Sequence, residues 1–148
     1  MGKGIRVVID GRGVRVAAGS TLLQAIGRLS RRFSALCTCH APCLADCCGL
    51  CVVEVEGELE LKRACSYIVD WPLSCQTYTR RIRRERRRLL SALLSSQHRR
   101  CPECGSRRSC ALASLARDYD VPVPVGHPAF EESRGRRRKE AAAQLPTP

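Results

Sequence analysis

The chain is poor in aromatic residues and lacks any segment that resembles a signal peptide or a membrane span. Aromatic side chains make up only 4% of the 148 residues. The core is therefore expected to be aliphatic and modest in size, with something besides apolar burial helping to hold it. Met1 is followed almost directly by Ile5–Ile9, whose β-branched residues predict a strand and not the apolar run of a signal peptide. Since no apolar run approaches membrane-spanning length, we expect a cytoplasmic protein without a membrane span.

Cysteine, in contrast, is abundant. The chain has 11 cysteines, and an odd number fits a complete disulfide framework poorly. In a reducing cytoplasm, clustered cysteines bind metal more often than they form disulfides. The length allows one ordinary domain with a small appended module and is too short for a large enzyme. The composition therefore favours a small metal-binding protein.

The positive charge is concentrated in two places. The formal net charge is +12, from 26 basic and 14 acidic residues, with nine arginines between Arg80 and Arg100 and a second basic run at residues 134–139. Nucleic acid is not the expected partner, because no aromatic pattern of the RNA-binding type accompanies the charge. We predict that the first arginine run forms a solvated helix face, with a docking surface for an acidic partner subunit as the alternative.

The pattern of apolar residues predicts an α+β fold. Residues 5–9 and 13–17 flank a turn of residues that tolerate positive φ, which predicts a hairpin. Thr21 and Gln24 have the spacing of a capping box at the start of a helix, and its apolar stripe consists of Leu22, Leu23, Ile26 and Leu29. Strands at 51–56 and near 73–76 would complete a small mixed sheet wrapped on this helix.

Two further helices are expected in the second half. Thr79 is the predicted N-cap of the first, whose apolar side consists of Ile82, Leu89, Leu90, Leu93 and Leu94. The second is short, with one face formed by Leu112, Leu115, Ala116 and Tyr119. From residue 121 to 148, proline, glycine and charge dominate, which predicts an extended arm and a disordered basic tail.

Two groups of potential metal ligands stand on this framework. In the first, ten, two and thirteen residues separate Cys37, Cys48, Cys51 and Cys65. Structural zinc sites usually pair two short C-x₂₋₄-C elements, whereas one short pair flanked by two single cysteines is typical of a ferredoxin-type loop around a [2Fe–2S] cluster. The second group offers one imidazole and three thiolates, from His98, Cys101, Cys104 and Cys110.

Ligand type alone leaves the metal of the second group open, because thiolates also bind zinc. The alternative hypothesis is therefore a zinc-stabilised basic protein that binds nucleic acid or an acidic partner. Four cysteines, Cys39, Cys43, Cys47 and Cys75, have no place in either group and are predicted to be small buried or loop side chains. His40 and His127 are not expected to be ligands.

Several segments together resemble the N-terminal iron–sulfur region of the large iron–sulfur subunit of NADH dehydrogenase (complex I). The same region occurs in iron-only hydrogenases, in the diaphorase small subunit of NAD-linked hydrogenases and in NAD-dependent formate dehydrogenases. The segments that carry the resemblance are Val8-Ile9-Asp10-Gly11, Gly19 to Ile26, Leu36-Cys37, Cys48 to Gly57 and Ala64-Cys65-Ser66. It continues to His98 and Cys110, and so covers about residues 5–120. The interval between His98 and Cys101 holds two residues, where the family usually has three.

The resemblance implies a β-grasp, 2Fe-2S ferredoxin-like domain over residues 1–78. It also implies a small helical His/Cys3 module over residues 79–120 that binds a [4Fe–4S] cluster, followed by the arm and tail at 121–148. Cys37, Cys48, Cys51 and Cys65 would hold the [2Fe–2S] cluster, and His98, Cys101, Cys104 and Cys110 the [4Fe–4S] cluster.

The implied function is electron transfer without catalysis by this chain itself. The protein would relay electrons between a flavin-containing NADH-oxidising subunit and a downstream oxidoreductase subunit, such as a hydrogenase, formate dehydrogenase or quinone-reducing module. It would therefore act within a hetero-oligomer.

Overall fold

The first two strands form the predicted hairpin. The structure is a computed structural model, and it describes residues 4–29, 48–97 and 110–123. Strand β1 (Ile5–Ile9) pairs antiparallel with β2 (Arg12–Val16). The connection consists of Asp10 and Gly11, with φ of 48° and 79°, and a two-residue hairpin of this kind needs positive φ at both positions. The prediction is confirmed, with β2 beginning one residue earlier than expected.

The first helix begins at the predicted capping box. A two-residue strand β3 (Ser20–Thr21) leads into α1 (Leu22–Leu29). The Thr21 N–H donates to Gln24 Oε1 at 2.9 Å, and the Gln24 N–H donates back to Thr21 Oγ1 at 3.2 Å. This reciprocal pair satisfies two amide groups that have no partner within the helix. The predicted stripe packs into the core, with Leu22 and Ile26 buried and the other two members partly buried.

Four more strands follow α1, and three of them complete a mixed sheet with the hairpin. They are β4 (Val52–Val55), β5 (Lys62–Arg63), β6 (Ile68–Val69) and β7 (Leu73–Gln76). The five-stranded sheet has the order β2-β1-β7-β4-β5, and β3 pairs with β6 separately. β7 lies parallel to β1 and antiparallel to β4. The largely aliphatic core of the sheet and α1 includes Val7, Ile9, Leu22, Ile26, Val53, Val55 and Val69. A mixed sheet around one helix is the predicted β-grasp arrangement.

Two helices follow the sheet. The side chain of Thr79 caps α2 (Arg80–Gln97), because its Oγ1 accepts a hydrogen bond from the Ile82 N–H at 3.1 Å. The short helix α3 spans Ala111–Asp118. The chain divides into two compact units, Met1–Leu89 and Leu90–Pro148, so the division falls within α2. Both predicted helices and the predicted N-cap are confirmed.

In the described residues of the second unit, α3 buries its predicted face. Leu112, Ala116 and Tyr119 are buried. The helix ends with main-chain hydrogen bonds from the Tyr119 N–H to the Leu115 carbonyl and from the Val121 N–H to the Ala116 carbonyl, at 3.1 and 2.8 Å. Among the described helices, none combines the length and apolar character needed to cross a membrane.

Several sequence-based predictions fall on residues outside the described ranges. These include the disordered tail and the fates of Cys37, Cys39, His40, Cys43, Cys47, His98, Cys101, Cys104 and His127. They stay predictions.

Candidate metal centre

The short cysteine pair forms a buried turn immediately before β4. Cys48 and Cys51 are 1% and 0% exposed, and Leu50 between them is 1% exposed. Gly49 has φ of +64°, a left-handed conformation that glycine adopts without steric cost. The Cys-Gly-Leu-Cys sequence therefore suits a tight turn that keeps both thiols away from water.

The pairing of β4 with β5 brings Cys65 to this turn. Val52 lies opposite Arg63 in the antiparallel ladder. The next pair along extends the ladder by one hydrogen bond, from the Ala64 N–H to the Cys51 carbonyl at 3.0 Å. The thirteen residues between Cys51 and Cys65 thus form the β4–β5 hairpin, and the two cysteines lie close together at its open end.

Helix α1 anchors the segment that carries Cys65. The Leu23 N–H donates to the Ala64 carbonyl at 2.8 Å, and the Leu22 N–H donates to the Tyr67 carbonyl at 2.8 Å. These two donors belong to the first turn of the helix, where amide groups have no partner within the helix. Cys65 is therefore held between main-chain contacts on both sides, and its position depends on the fold rather than on its own side chain.

The thiols interact directly. Burial raises the pKa of the Cys51 thiol to about 11, and the neighbouring thiols of Cys65 and Cys48 act in the same direction. A hydrogen bond from the Cys65 backbone to Cys51 opposes this rise in pKa. Three cysteines from two segments of the chain thus form one electrostatic group, in which metal binding must displace protons.

This donor set fits a cysteine-ligated iron–sulfur cluster. All five described cysteines, Cys48, Cys51, Cys65, Cys75 and Cys110, are thiols, and thiolates are the ligands that such clusters require. Within the described ranges, no three His, Cys, Asp or Glu side chains are arranged to hold a single metal ion. A binuclear cluster is larger than one ion, so its ligands are spaced further apart. Cys37, the predicted fourth ligand, lies outside the described residues.

Arg86, which the sequence pattern did not single out, contacts the cysteine turn from α2. Its side chain is buried, with 2% exposed. Its Nε donates to the Leu50 carbonyl and its Nη2 donates to the Val52 carbonyl, both at 2.9 Å. The two acceptors flank Cys51 in the sequence, so one guanidinium group holds the main chain on both sides of a candidate ligand.

The prediction that the arginine run forms a solvated face is wrong for Arg86. Arg84, Arg87 and Arg88 are exposed as expected, but Arg86 lies on the buried face of the helix. A signal was present in the sequence, because the buried residues of α2 recur at intervals of four, at Ile82, Arg86, Leu90 and Leu94. An arginine on an apolar stripe indicates a buried acceptor.

Cys75 lies apart from the turn, as predicted for a cysteine outside both groups. It belongs to β7, is 2% exposed and packs in the core. Burial raises the pKa of its thiol to about 12, with a smaller contribution from the negative charge of Asp10. A thiol with this pKa stays protonated and unreactive at neutral pH, and its role is packing.

Of the second group, the structure describes only Cys110. This residue is half-buried and precedes the first turn of α3 with extended dihedral angles, φ −67° and ψ 106°. His98, Cys101 and Cys104 lie outside the described ranges.

The fold and the turn together define the class of protein. A β-grasp sheet that presents a buried Cys-x-x-Cys turn and a neighbouring cysteine has the features of a ferredoxin-like domain. Residues 2–80 match the family described as a 2Fe-2S iron-sulfur cluster binding domain. The chain belongs to this family, which supports the iron–sulfur prediction for the first group and gives no support to the zinc-binding alternative.

The chain is similar to subunits of oxidoreductases that use NADP or NADH. The chain is 32% identical to NADP-reducing hydrogenase subunit HndD of Solidesulfovibrio fructosivorans, over 79% of this chain and 21% of that protein. It is 34% identical to an NADH-quinone oxidoreductase subunit of Rhizobium meliloti (strain 1021), over 78% of this chain and 14% of that protein.

A solved structure has the same fold. In the crystal structure of NAD+-reducing [NiFe]-hydrogenase in the H2-reduced state, the similar chain superposes with a TM-score of 0.65 and 26% identity, over 80% of this chain and 50% of the other. This chain spans about a fifth or less of the length of the curated relatives it matches. The alignments of 122 and 116 residues are longer than the range 2–80, so the similarity continues beyond the family match.

Proposed function

We propose that this chain is an electron-transfer protein or subunit that holds two iron–sulfur clusters. Cys37, Cys48, Cys51 and Cys65 would ligate the [2Fe–2S] cluster. The observation that carries this assignment is the convergence of three of them, since the Cys48–Cys51 turn and Cys65 meet at the β4–β5 ladder. Cysteine-ligated iron–sulfur clusters accept and release electrons at potentials set by charge, burial and hydrogen bonds to sulfur.

The contribution of the polypeptide is to fix and desolvate this site. The turn excludes water from Cys51, which is 0% exposed, and from Leu50 beside it. Ladder and helix contacts position Cys65 independently of any ligand. A site whose geometry is set by the fold needs little rearrangement when its charge changes, which favours electron transfer.

The second cluster is the further part of the proposal. His98, Cys101, Cys104 and Cys110 would hold a [4Fe–4S] cluster in a helical module over residues 79–120. Two observations support it: the ligand types and their spacing in the sequence, and a similarity to oxidoreductase subunits that extends beyond residue 80.

By similarity to its relatives, the chain would relay electrons between an NADH/flavin module and a partner oxidoreductase. The relatives are subunits of a hydrogenase and of an NADH-quinone oxidoreductase, which supports a hetero-oligomer. The upstream partner would be a flavin-containing NADH-oxidising subunit. The downstream partner would be a hydrogenase, formate dehydrogenase or quinone-reducing subunit. Catalysis would belong to these partners.

Metal analysis of anaerobically purified protein tests the proposal. We expect a brown protein with broad visible absorption, about six iron atoms per chain when both sites are filled, and EPR signals after reduction with dithionite. About two iron atoms with a [2Fe–2S] spectrum alone would contradict the second cluster. A colourless protein with stoichiometric zinc would contradict the electron-transfer function as a whole.

A further inference from the structure

A buried positive charge lies beside the candidate cluster turn. The guanidinium of Arg86 is supplied by α2, beyond the residues 2–80 that match the family. It donates to the carbonyls of Leu50 and Val52, which are 36 and 34 residues away in the sequence. Family membership therefore assigns no role to this residue, and its contacts must be explained from the structure.

The hydrogen bonds to the Leu50 and Val52 carbonyls do not by themselves require an arginine. An amide side chain also donates to carbonyl groups, at a smaller cost of desolvation than a permanent cation. Nearby negative charge offsets part of the desolvation cost of burying a guanidinium. Four thiolates and a reduced iron–sulfur cluster carry such negative charge, and Cys51 lies between the two residues that Arg86 contacts.

We propose that Arg86 is a positioning residue that locks the Cys48–Cys51 turn and, through its charge, raises the reduction potential of the [2Fe–2S] site. This inference rests on the proposed ligation of that cluster by Cys48 and Cys51. The forked donor geometry fixes the main chain on both sides of Cys51. The positive charge favours the reduced state, because reduction makes the site more negative.

The geometry also links the turn to the helix that follows the family domain. Leu89, three residues after Arg86, lies beside Gly49, since a Cβ added to Gly49 would be in ordinary van der Waals contact with Leu89 Cδ1 at 3.5 Å. Side chains one helical turn apart thus cover the same cysteine turn. Arg86 and Leu89 of α2 therefore belong to the surroundings of the [2Fe–2S] site.

Redox titration of the full chain tests this role with three variants. Arg86→Gln removes the charge and keeps an amide donor. Arg86→Lys keeps the charge and loses the fork. Arg84→Gln removes an exposed charge from the same helix and is the matched control. The midpoint potential is followed by the EPR signal of the [2Fe–2S] site, and circular dichroism reports folding.

We expect Arg86→Gln to lower the potential so that the ratio of oxidised to reduced protein at a fixed potential rises about tenfold, equivalent to about 59 mV for a one-electron couple. In Arg86→Lys the ratio should stay within about threefold of the wild-type value, while the g values shift because the fork is lost. Arg84→Gln should also stay within about threefold, because solvent and salt screen an exposed charge.

Three results would overturn the role of Arg86. They are an unchanged potential in Arg86→Gln, equal shifts in Arg86→Gln and Arg84→Gln, and a potential in Arg86→Lys as low as that in Arg86→Gln. If Arg86→Gln assembles no cluster, Arg86→Lys decides. A cluster at near wild-type potential in Arg86→Lys supports the role. Loss of the cluster in both variants shows that Arg86 serves folding only.

The wild-type titration separates this inference from the proposed function. A wild-type chain without a [2Fe–2S] spectrum would reject the ligand assignment itself. A normal wild-type spectrum whose potential does not respond to Arg86 would reject only the role of this residue.

Discussion

The main-chain N–H of Ala64 donates a hydrogen bond to the carbonyl of Cys51 at 3.0 Å. This single contact extends the β4–β5 ladder by one pair and makes Cys65 the neighbour of Cys51. Two cysteines that are fourteen positions apart in the sequence are thereby brought close together in space.

Replacing the converging cysteines should remove the [2Fe–2S] cluster. Cys51→Ala or Cys65→Ala would each delete one of four thiolate ligands, and we expect loss of most of the [2Fe–2S] EPR signal and of about two iron atoms per chain. Cys75→Ala is the matched control, because this cysteine is equally buried but lies in β7. Retention of the cluster in Cys51→Ala, or its complete loss in Cys75→Ala, would contradict the assignment.

The histidine of the second group should affect only the second cluster. We expect His98→Ala to remove or alter the [4Fe–4S] EPR signal and to leave the [2Fe–2S] signal intact, because the two ligand sets are separate in the sequence. His40→Ala serves as the control, since His40 is not a predicted ligand. An unchanged spectrum of His98→Ala would show that another group is the fourth ligand, in keeping with the short interval to Cys101.

Two glycine substitutions should have effects of opposite sign. Gly49→Ala places a Cβ at a residue with φ of +64°, and the left-handed conformation costs an L-residue about 1–2 kcal/mol. Gly27→Ala lies within α1, where no atom of the described residues outside the helix backbone lies within 4 Å of the added Cβ, and should stabilise the fold by about 0.5–1 kcal/mol. Chemical denaturation measures both, and equal effects would show that the turn is not strained by a side chain.

The Asp10 carboxylate should stabilise the junction of β1 and β7. It accepts hydrogen bonds from the Thr77 N–H at 2.7 Å and from Thr77 Oγ1 at 2.5 Å. We expect Asp10→Ala to lower the free energy of unfolding by about 1–3 kcal/mol. Asp10→Asn should lower it much less, since asparagine retains an acceptor and tolerates the φ of 48° at this position. Urea denaturation measures the free energy of unfolding of both variants, and an equal loss in Asp10→Ala and Asp10→Asn would argue against these hydrogen bonds.

Cys75 should make the protein less stable in alkali. Because the pKa of its thiol is raised from 9.0 to about 12 in the folded state, the unfolded chain loses this proton first as the pH rises. The stabilising contribution is therefore fully present below pH 9 and is lost between pH 9 and pH 12. From pH 8 to pH 10 the wild type should lose about 1.4 kcal/mol more than Cys75→Ala.

Urea denaturation of both proteins at the two pH values measures this difference, in which titrations common to both proteins cancel. Identical pH dependence would show that Cys75 is not desolvated in solution.

Much of the fold followed from short-range patterns. The hairpin required two residues that tolerate positive φ, the start of α1 required Thr21 and Gln24 three residues apart, and the start of α2 required Thr79. Each of these signals involves residues that are only a few positions apart, so each can be recognised in the sequence. The spacing of the cysteines also indicated the type of metal site, because the number of residues between candidate ligands can be read directly from the sequence.

By itself, then, the sequence determined the hairpin, two of the later strands, the three helices and the family resemblance, and it defined two groups of candidate ligands. Only the tertiary structure decided that Cys51 and Cys65 are neighbours across a ladder, and that one arginine of a basic run is buried against the turn. Arg86 reaches carbonyls more than 30 residues away, and composition cannot show which face of a helix meets which distant segment. Burial and register arise from packing between remote parts of the chain, and these set the environment of the candidate cluster.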